Sequence, residues 1–233
     1  MLGVNQRMST VIKIRAIMRV LFSLGLMFAI LFESAGRWDY WHGWAYFLLW
    51  TYLVLFNWLI IPSELVQERI QPGPGAKKWD YIFFYVIFIP LSYIIPLVAA
   101  LDGGRYHWTG DFPPLVNVLA FIIIFLGGSL EIVSLWTNQF FSAIVRIQKE
   151  RGHYVIDKGP YAFIRHPGYA GGTLSYLCIP FGLNSLWALI PAGIFLIAVI
   201  IRTYLEDITL QKELSGYLDY AARVKYRLVP KVW

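Results

Sequence analysis

Apolar residues run along this chain in long blocks. Six stretches, roughly 17–36, 44–62, 81–101, 115–136, 168–183 and 186–204, carry the hydrophobicity expected of membrane spans. A helix needs about 20 apolar residues to cross a bilayer, and most of these blocks approach that length. The pattern therefore predicts an all-α, polytopic transmembrane helical bundle of about six spans. The fifth and sixth blocks are short and meet at Gly182, Leu183 and Asn184. Only a tight turn fits there, so they should form an antiparallel helical hairpin. The first block, beginning near Met18, has no small-residue cleavage site and reads as a permanent span.

Polar segments fill the gaps. Gln71-Pro72-Gly73-Pro74-Gly75 and the stretch from Asp102 to Pro114 are loops by composition. Two further stretches are too polar to be spans, Thr137 to His166 and Arg202 to the end. In the second, Ile208, Leu210, Leu214, Leu218 and Ala222 recur among charges, a spacing that suits an amphipathic helix on the membrane surface.

Composition agrees with the pattern. Only 15% of the residues are charged, against about 25% in soluble proteins, so a soluble domain is excluded. The net charge of +6 is unevenly placed. In an alternating topology only Arg37 and Arg105 fall on one side, while Arg7, Lys13, Arg69, Arg146, Arg165, Arg202 and the remaining basic residues fall on the other. By the positive-inside rule, both termini and the Thr137–His166 connector are cytoplasmic, which requires an even number of spans. The bilayer would be the plasma membrane in a prokaryote and the endoplasmic reticulum in a eukaryote. Trp38, Tyr40, Trp41 and Trp44, with Tyr106 and Trp108, suit interfacial anchors. No soluble face interleaves basic and aromatic residues, which argues against nucleic acid. The single cysteine, Cys178, excludes an internal disulfide and reads as a small buried hydrophobe.

The candidate chemistry gathers late in the chain. Gln148, His153, Tyr154, Asp157, Tyr161, Arg165 and His166 crowd one connector, and Pro167 fixes His166 at the mouth of the fifth span. Gly168, Gly171 and Gly172 then permit close approach of a helix or ligand. Arg202 and Glu206, four apart, share a helix face and can pair; a surface salt bridge is the plain alternative to a catalytic role. No H-E-x-x-H, cysteine pair, G-x-S-x-G or G-x-G-x-x-G occurs, so a metal, a serine nucleophile and a Rossmann-bound nucleotide are not expected. Glu131, inside the fourth span, is a functional candidate because an ionisable group there is costly; Glu33 is a weaker one.

Gly159-Pro160-Tyr161-Ala162-Phe163-Ile164-Arg165-His166-Pro167-Gly168-Tyr169, then Arg202-Thr203-Tyr204-Leu205-Glu206-Asp207, then Gly216-Tyr217-Leu218-Asp219-Tyr220 form an ordered set. It resembles the isoprenylcysteine carboxyl methyltransferase family, within a superfamily that includes phospholipid methyltransferases. Glu206-Asp207 stands where that family usually has consecutive glutamates. The resemblance implies an enzyme that uses S-adenosyl-L-methionine and releases S-adenosyl-L-homocysteine. It implies cofactor contacts at Gln148, His153, Tyr154, Val155, Ile156, Tyr161, His166, Pro167, Gly168 and Tyr169, with Arg202 and Glu206 as the catalytic charges. Residues 1–136 would supply N-terminal spans and 137–233 the catalytic region, in one integral-membrane domain. The partners implied are the lipid bilayer and a lipophilic acceptor, such as a prenylcysteine-like carboxylate or a lipid.

Methyl transfer from a sulfonium needs orientation and desolvation more than an activated nucleophile, which suits this residue set. A phospholipid amine N-methyltransferase is the alternative within the superfamily. A small transporter would need midplane polar residues in two matching halves, and a non-catalytic assembly protein would not need the dense connector.

Overall fold

The computed structural model describes residues 10–233 and is all-helical among them. Arg7 and the N-terminal end, part of the charge argument, lie outside the described residues. Long helices α1 (Thr10–Ala35) and α2 (Trp41–Ile60) are followed by the short α3 (Ser63–Ile70) and by α4 (Lys78–Tyr106). Then come α5 (Pro114–Thr137), α6 (Pro167–Gly182), α7 (Leu189–Glu213) and α8 (Tyr217–Arg223).

Among the described residues, five helices, α1, α2, α4, α5 and α7, are long and apolar enough to cross a membrane. The sixth expected span, α6, has 16 residues. It rises only about 24 Å, short of a hydrocarbon core of ~30 Å. Leu48, Leu59, Ile122, Leu126, Ile194 and Ile197 point outward, as side chains facing lipid would. Inward, Met27 and Leu31 of α1, Ile95 of α4, Ile124 of α5, Ile179 of α6 and Phe195 of α7 share one core.

Glycine brings α5 and α6 together. A Cβ on Gly171 would lie 2.4 Å from the carbonyl oxygen of Gly127, and one on Gly127 would lie 2.6 Å from that of Gly171. Only bare backbones fit that seam. The α6–α7 hairpin turn is tied to its neighbours by polar groups. Asn184, at φ +59°, accepts from Asn117 Nδ2 (2.7 Å) and donates to Asp111 (3.0 Å), while Asp102 accepts from Ser185 (2.7 Å) and Thr109 (2.6 Å). The loop expected from Asp102 therefore starts later, because π-helical turns carry α4 on to Tyr106. Tyr40 is buried, donating to the Leu183 carbonyl (2.9 Å), and is no interfacial anchor; Tyr106 and Trp108 are exposed and stacked.

The C-terminal helix also departs from expectation. Nothing interrupts the helix after residue 204, so α7 continues through Ile208 and Leu210 to Glu213. Gly216, at φ +80°, turns the chain, and α8 is only seven residues long. Its Tyr217 and Tyr220 pack inward.

Candidate active site

Residues 138–166 fold over the ends of α6 and α7, and a buried ion pair from α3 and a buried carboxylate of α4 hold them there. Arg146 grips Glu68 of α3 with Nε and Nη2 (2.6 and 2.8 Å), reaches Glu150 (2.5 Å), and donates to the Pro74 carbonyl (2.9 Å). The Glu68 carboxylate holds the Arg146 guanidinium above its usual basicity, and Arg146 in turn holds Glu150 below the usual carboxylate range. A buried arginine stays charged when its donors are met in this way. Asp80, at the start of α4, accepts the backbone N–H of Val145 (2.6 Å).

The end of the connector is organised around a fully buried carboxylate. Asp207 accepts two hydrogen bonds from the Arg165 fork (2.8 and 2.9 Å), and others from Tyr217 (2.9 Å), Arg227 (2.9 Å) and Gln211 (2.8 Å); His166 Nε2 stands 3.3 Å away. Arg165 also donates to the carbonyls of Val224 and Lys225, and Tyr220 donates to the Tyr161 carbonyl. One carboxylate thus locks the residues before α6 to α7, α8 and the last turn. Burial raises the phenols of Tyr161, Tyr217 and Tyr220, so all three stay protonated donors at neutral pH.

Beneath the connector lies a cleft of about 740 Å³, open to solvent. His153, Tyr154, Val155, Ile156, Tyr161, His166, Gly168, Tyr169 and Glu206 line it, together with Phe140 and Phe141. His153 stacks on Phe140 at 4.3 Å, and its Nδ1 accepts the Gln148 N–H (3.2 Å). Burial beside Arg151 and Arg146 pushes this histidine down to about 4, so it is neutral at pH 7 with its proton on Nε2. A second cavity, about 750 Å³ with its open mouth included, reaches in among the spans, walled by Phe84, Phe88, Tyr176, Phe195 and Val199, with Arg69, Glu131 and Arg202 on its surface. Phe141, Ser142, Gly168 and Tyr169 line both.

At that shared wall, the Tyr169 hydroxyl donates to Glu206 Oε2 at 2.5 Å. Gly168 leaves room for Phe141, because a Cβ there would lie 2.6 Å from that ring. Arg202 does not pair with Glu206. Its Nε and Nη2 grip Asp80 (2.7 and 2.8 Å), Nη2 also reaches the Ala143 carbonyl, and the guanidinium lies 5.1 Å from the Tyr169 ring centre and 5.3 Å from that of Phe88. An i,i+4 neighbour lost to a partner that offers a two-pronged fit in a buried setting.

All the sequence-nominated cofactor positions except Gln148 and Pro167 line the first cleft. Gln148 is buried behind it, bonded to the Phe140 carbonyl and to Arg151, and Pro167 opens α6. Glu33 is exposed on α1. Asp80, Glu68 and Phe140 were not nominated. The only signal for Asp80 was an acid directly following Lys77, Lys78 and Trp79 at the start of an apolar block.

The profile of the phospholipid methyltransferase family matches residues 115–215, which span α5, the connector and α7. Protein-S-isoprenylcysteine O-methyltransferase B of Arabidopsis thaliana is 27% identical over 147 residues, covering 58% of this chain and 66% of that one, just under two thirds of its length. The structure of a eukaryotic intramembrane Ras methyltransferase, isoprenylcysteine carboxyl methyltransferase, superposes with a TM-score of 0.54 at 20% identity, over 93% of this chain and 77% of the other. The resemblance to the isoprenylcysteine carboxyl methyltransferase family is borne out. Five apolar helices in that family's fold make this an integral membrane protein. The segment matched by the profile holds the Arg165–Asp207 lock and the Tyr169–Glu206 pair, whereas Asp80 and Glu68 lie outside it.

Proposed function

We propose that this chain is an integral-membrane methyltransferase that takes a methyl group from S-adenosyl-L-methionine and transfers it to a lipophilic acceptor. The observation that carries the reading is the pair of cavities meeting at Gly168 and Tyr169. One is polar, aromatic and open to water; the other lies among the spans, walled largely by apolar side chains with Arg69, Glu131 and Arg202 among them. A donor from the aqueous side and an acceptor from lipid could meet only at such a wall.

The first cleft fits a charged nucleoside-bearing donor. Phe140, Tyr154 and Tyr161 offer aromatic faces, His153 offers a neutral N–H, and Glu206 offers a carboxylate to a cation. When bound, the donor supplies a methyl carbon on a sulfonium, so the acceptor–carbon bond forms as the carbon–sulfur bond breaks and its electron pair stays on sulfur. The protein's part is alignment and exclusion of water. Tyr169 holds Glu206 in place, and Arg202, fixed by Asp80, lends positive charge to the wall without being free to move. A carboxylate acceptor needs no base; an amine acceptor would lose a proton, which Glu206 is positioned to take.

On this reading residues 137–233 carry the donor side, and the connector and both termini face the cytoplasm, because α6, though short, carries the chain to the turn held by Tyr40 and Asp102 at the opposite ends of the long helices and so makes the sixth crossing. Calorimetry of the purified protein with S-adenosyl-L-homocysteine, followed by a methyl-transfer screen over lipid extracts, tests it. Micromolar binding that is lost in Tyr161→Ala and His153→Ala is expected; no binding to well-folded protein would refute it.

A further inference from the structure

The second cavity contains two charges that the reaction as described does not use. Among the described residues Arg69, at the end of α3, makes no side-chain hydrogen bond, and its Nη1 is buried without a partner. Its guanidinium lies 5.9 Å from the ring centre of Phe141, a shared-wall residue, and within electrostatic reach of Glu131, Arg202 and Tyr169. The Glu131 side chain, near the end of α5, also makes no hydrogen bond among the described residues, and its Oε2 lies where a Cβ on Gly172 would be 3.3 Å away. The glycine therefore leaves this carboxylate open to the cavity, one turn of α6 from Gly168. Arg69 and Glu131 sense each other's charge without closing an ion pair.

An unpartnered buried guanidinium donor is costly, and evolution usually supplies it with an acceptor. Arg202 cannot serve as freely, because Asp80 and the Ala143 carbonyl already occupy its Nε and Nη2. We propose that Arg69 is the residue that binds an anionic group of the acceptor in the second cavity, with Glu131 balancing its charge when the cavity is empty. The acceptor is then an amphiphile with an apolar chain among Phe84, Phe88 and Phe195 and an anionic head near Phe141. This rests on the two-cavity reading for the direction of entry, but the binding itself does not require methyl transfer.

The test uses three C16 probes that differ only in their heads: a fatty acid, its methyl ester and the matching alkylamine. Equilibrium binding of the radiolabelled probes to the full-length protein in detergent is measured beside S-adenosyl-L-homocysteine binding. Arg69→Leu should weaken the fatty acid about tenfold to a hundredfold, the span expected for losing a hydrogen bond to a charged group, with the ester and S-adenosyl-L-homocysteine unchanged. Arg69→Lys should recover part of the loss. Glu131→Gln should tighten the fatty acid and weaken the amine, an opposite sign that damage to the fold would not produce. Equal affinity for the three probes, or equal losses for all of them in Arg69→Leu, overturns the proposal. Failure of S-adenosyl-L-homocysteine to bind while the fatty acid shows this dependence would remove the methyltransferase reading and leave Arg69 as an anion site.

Discussion

Arg202 on α7 and Asp80 on α4, 122 residues apart in sequence, form a two-pronged ion pair with both side chains buried. The same carboxylate oxygen that receives Arg202 Nη2 also receives the Val145 N–H. Asp80 is thus the point at which the N-terminal half holds both the connector and the last span.

Removing one partner should leave the other as an uncompensated buried charge, costing about 3–5 kcal/mol. Asp80→Asn and Arg202→Met should each lower the melting temperature strongly, and the double variant should be less destabilised than the sum of the two. Strict additivity in that cycle would mean that the pair does not couple. Arg202→Lys should also be destabilised, since an ammonium cannot reproduce the fork.

Much of this was legible in the sequence, for reasons that also explain what was not. Block hydrophobicity located every long helix because lipid leaves the backbone no alternative to internal hydrogen bonding. The Gly159–Tyr169 string placed the cleft through its resemblance to the isoprenylcysteine carboxyl methyltransferase family, while Pro167 and the glycines after it showed only that His166 is held at the mouth of α6. Arg202 was recognised and its partner was not. An i,i+4 rule sees only neighbours on one helix, and the competing acid stood at the far end of the chain. The same holds for Glu68 and Arg146. The charges from Arg202 onward end the apolar span but not the helix, because Glu206 and Asp207 continue α7 with their carboxylates satisfied by Tyr169 and Arg165.

The seam between α5 and α6 makes a packing prediction. Gly171→Leu should force the two helices apart, since even a Cβ would overlap the Gly127 carbonyl. Loss of folded protein after detergent extraction is expected. Gly193→Ala, where nothing lies near the added carbon, should be neutral, and so provides the control for a glycine change inside a span.

His153 makes a pH prediction. Its ordinary value is 6.5 and the fold lowers it to about 4. Between those values the unfolded chain binds more protons than the folded one, so stability falls as the pH falls. The contribution is fully present above about pH 6.5, declines toward pH 4 and is then constant. Because carboxylates titrate in part of the same range, the informative quantity is the difference between wild type and His153→Gln. Melting temperatures from pH 7.5 to 4.5 should converge as the pH falls. A difference that stays constant with pH would mean that the histidine is not held neutral by its surroundings.

The contact between Tyr169 and Glu206 separates catalysis from binding. Glu206 lines the aqueous cleft, Tyr169 lines both cavities, and their hydrogen bond of 2.5 Å crosses the wall where transfer is proposed. Glu206→Gln keeps the volume and removes the charge that would face a sulfonium or take a proton from an amine. Turnover should fall by about a hundredfold or more, the scale of a positioned charge or acid–base group, while the melting temperature changes little. Affinity for S-adenosyl-L-homocysteine, which is uncharged at sulfur, should be nearly unchanged, because the lost attraction was directed at a positive centre. Tyr169→Phe removes only the donor that holds Glu206. It should reduce turnover less than Glu206→Gln does, and in a Glu206→Gln background it should add almost nothing, since the two act as a unit. Independent, multiplying losses would show that Tyr169 acts on the acceptor directly and does not work through Glu206. A large loss of S-adenosyl-L-homocysteine affinity in Glu206→Gln would place the carboxylate against the rest of the donor, away from the reacting methyl.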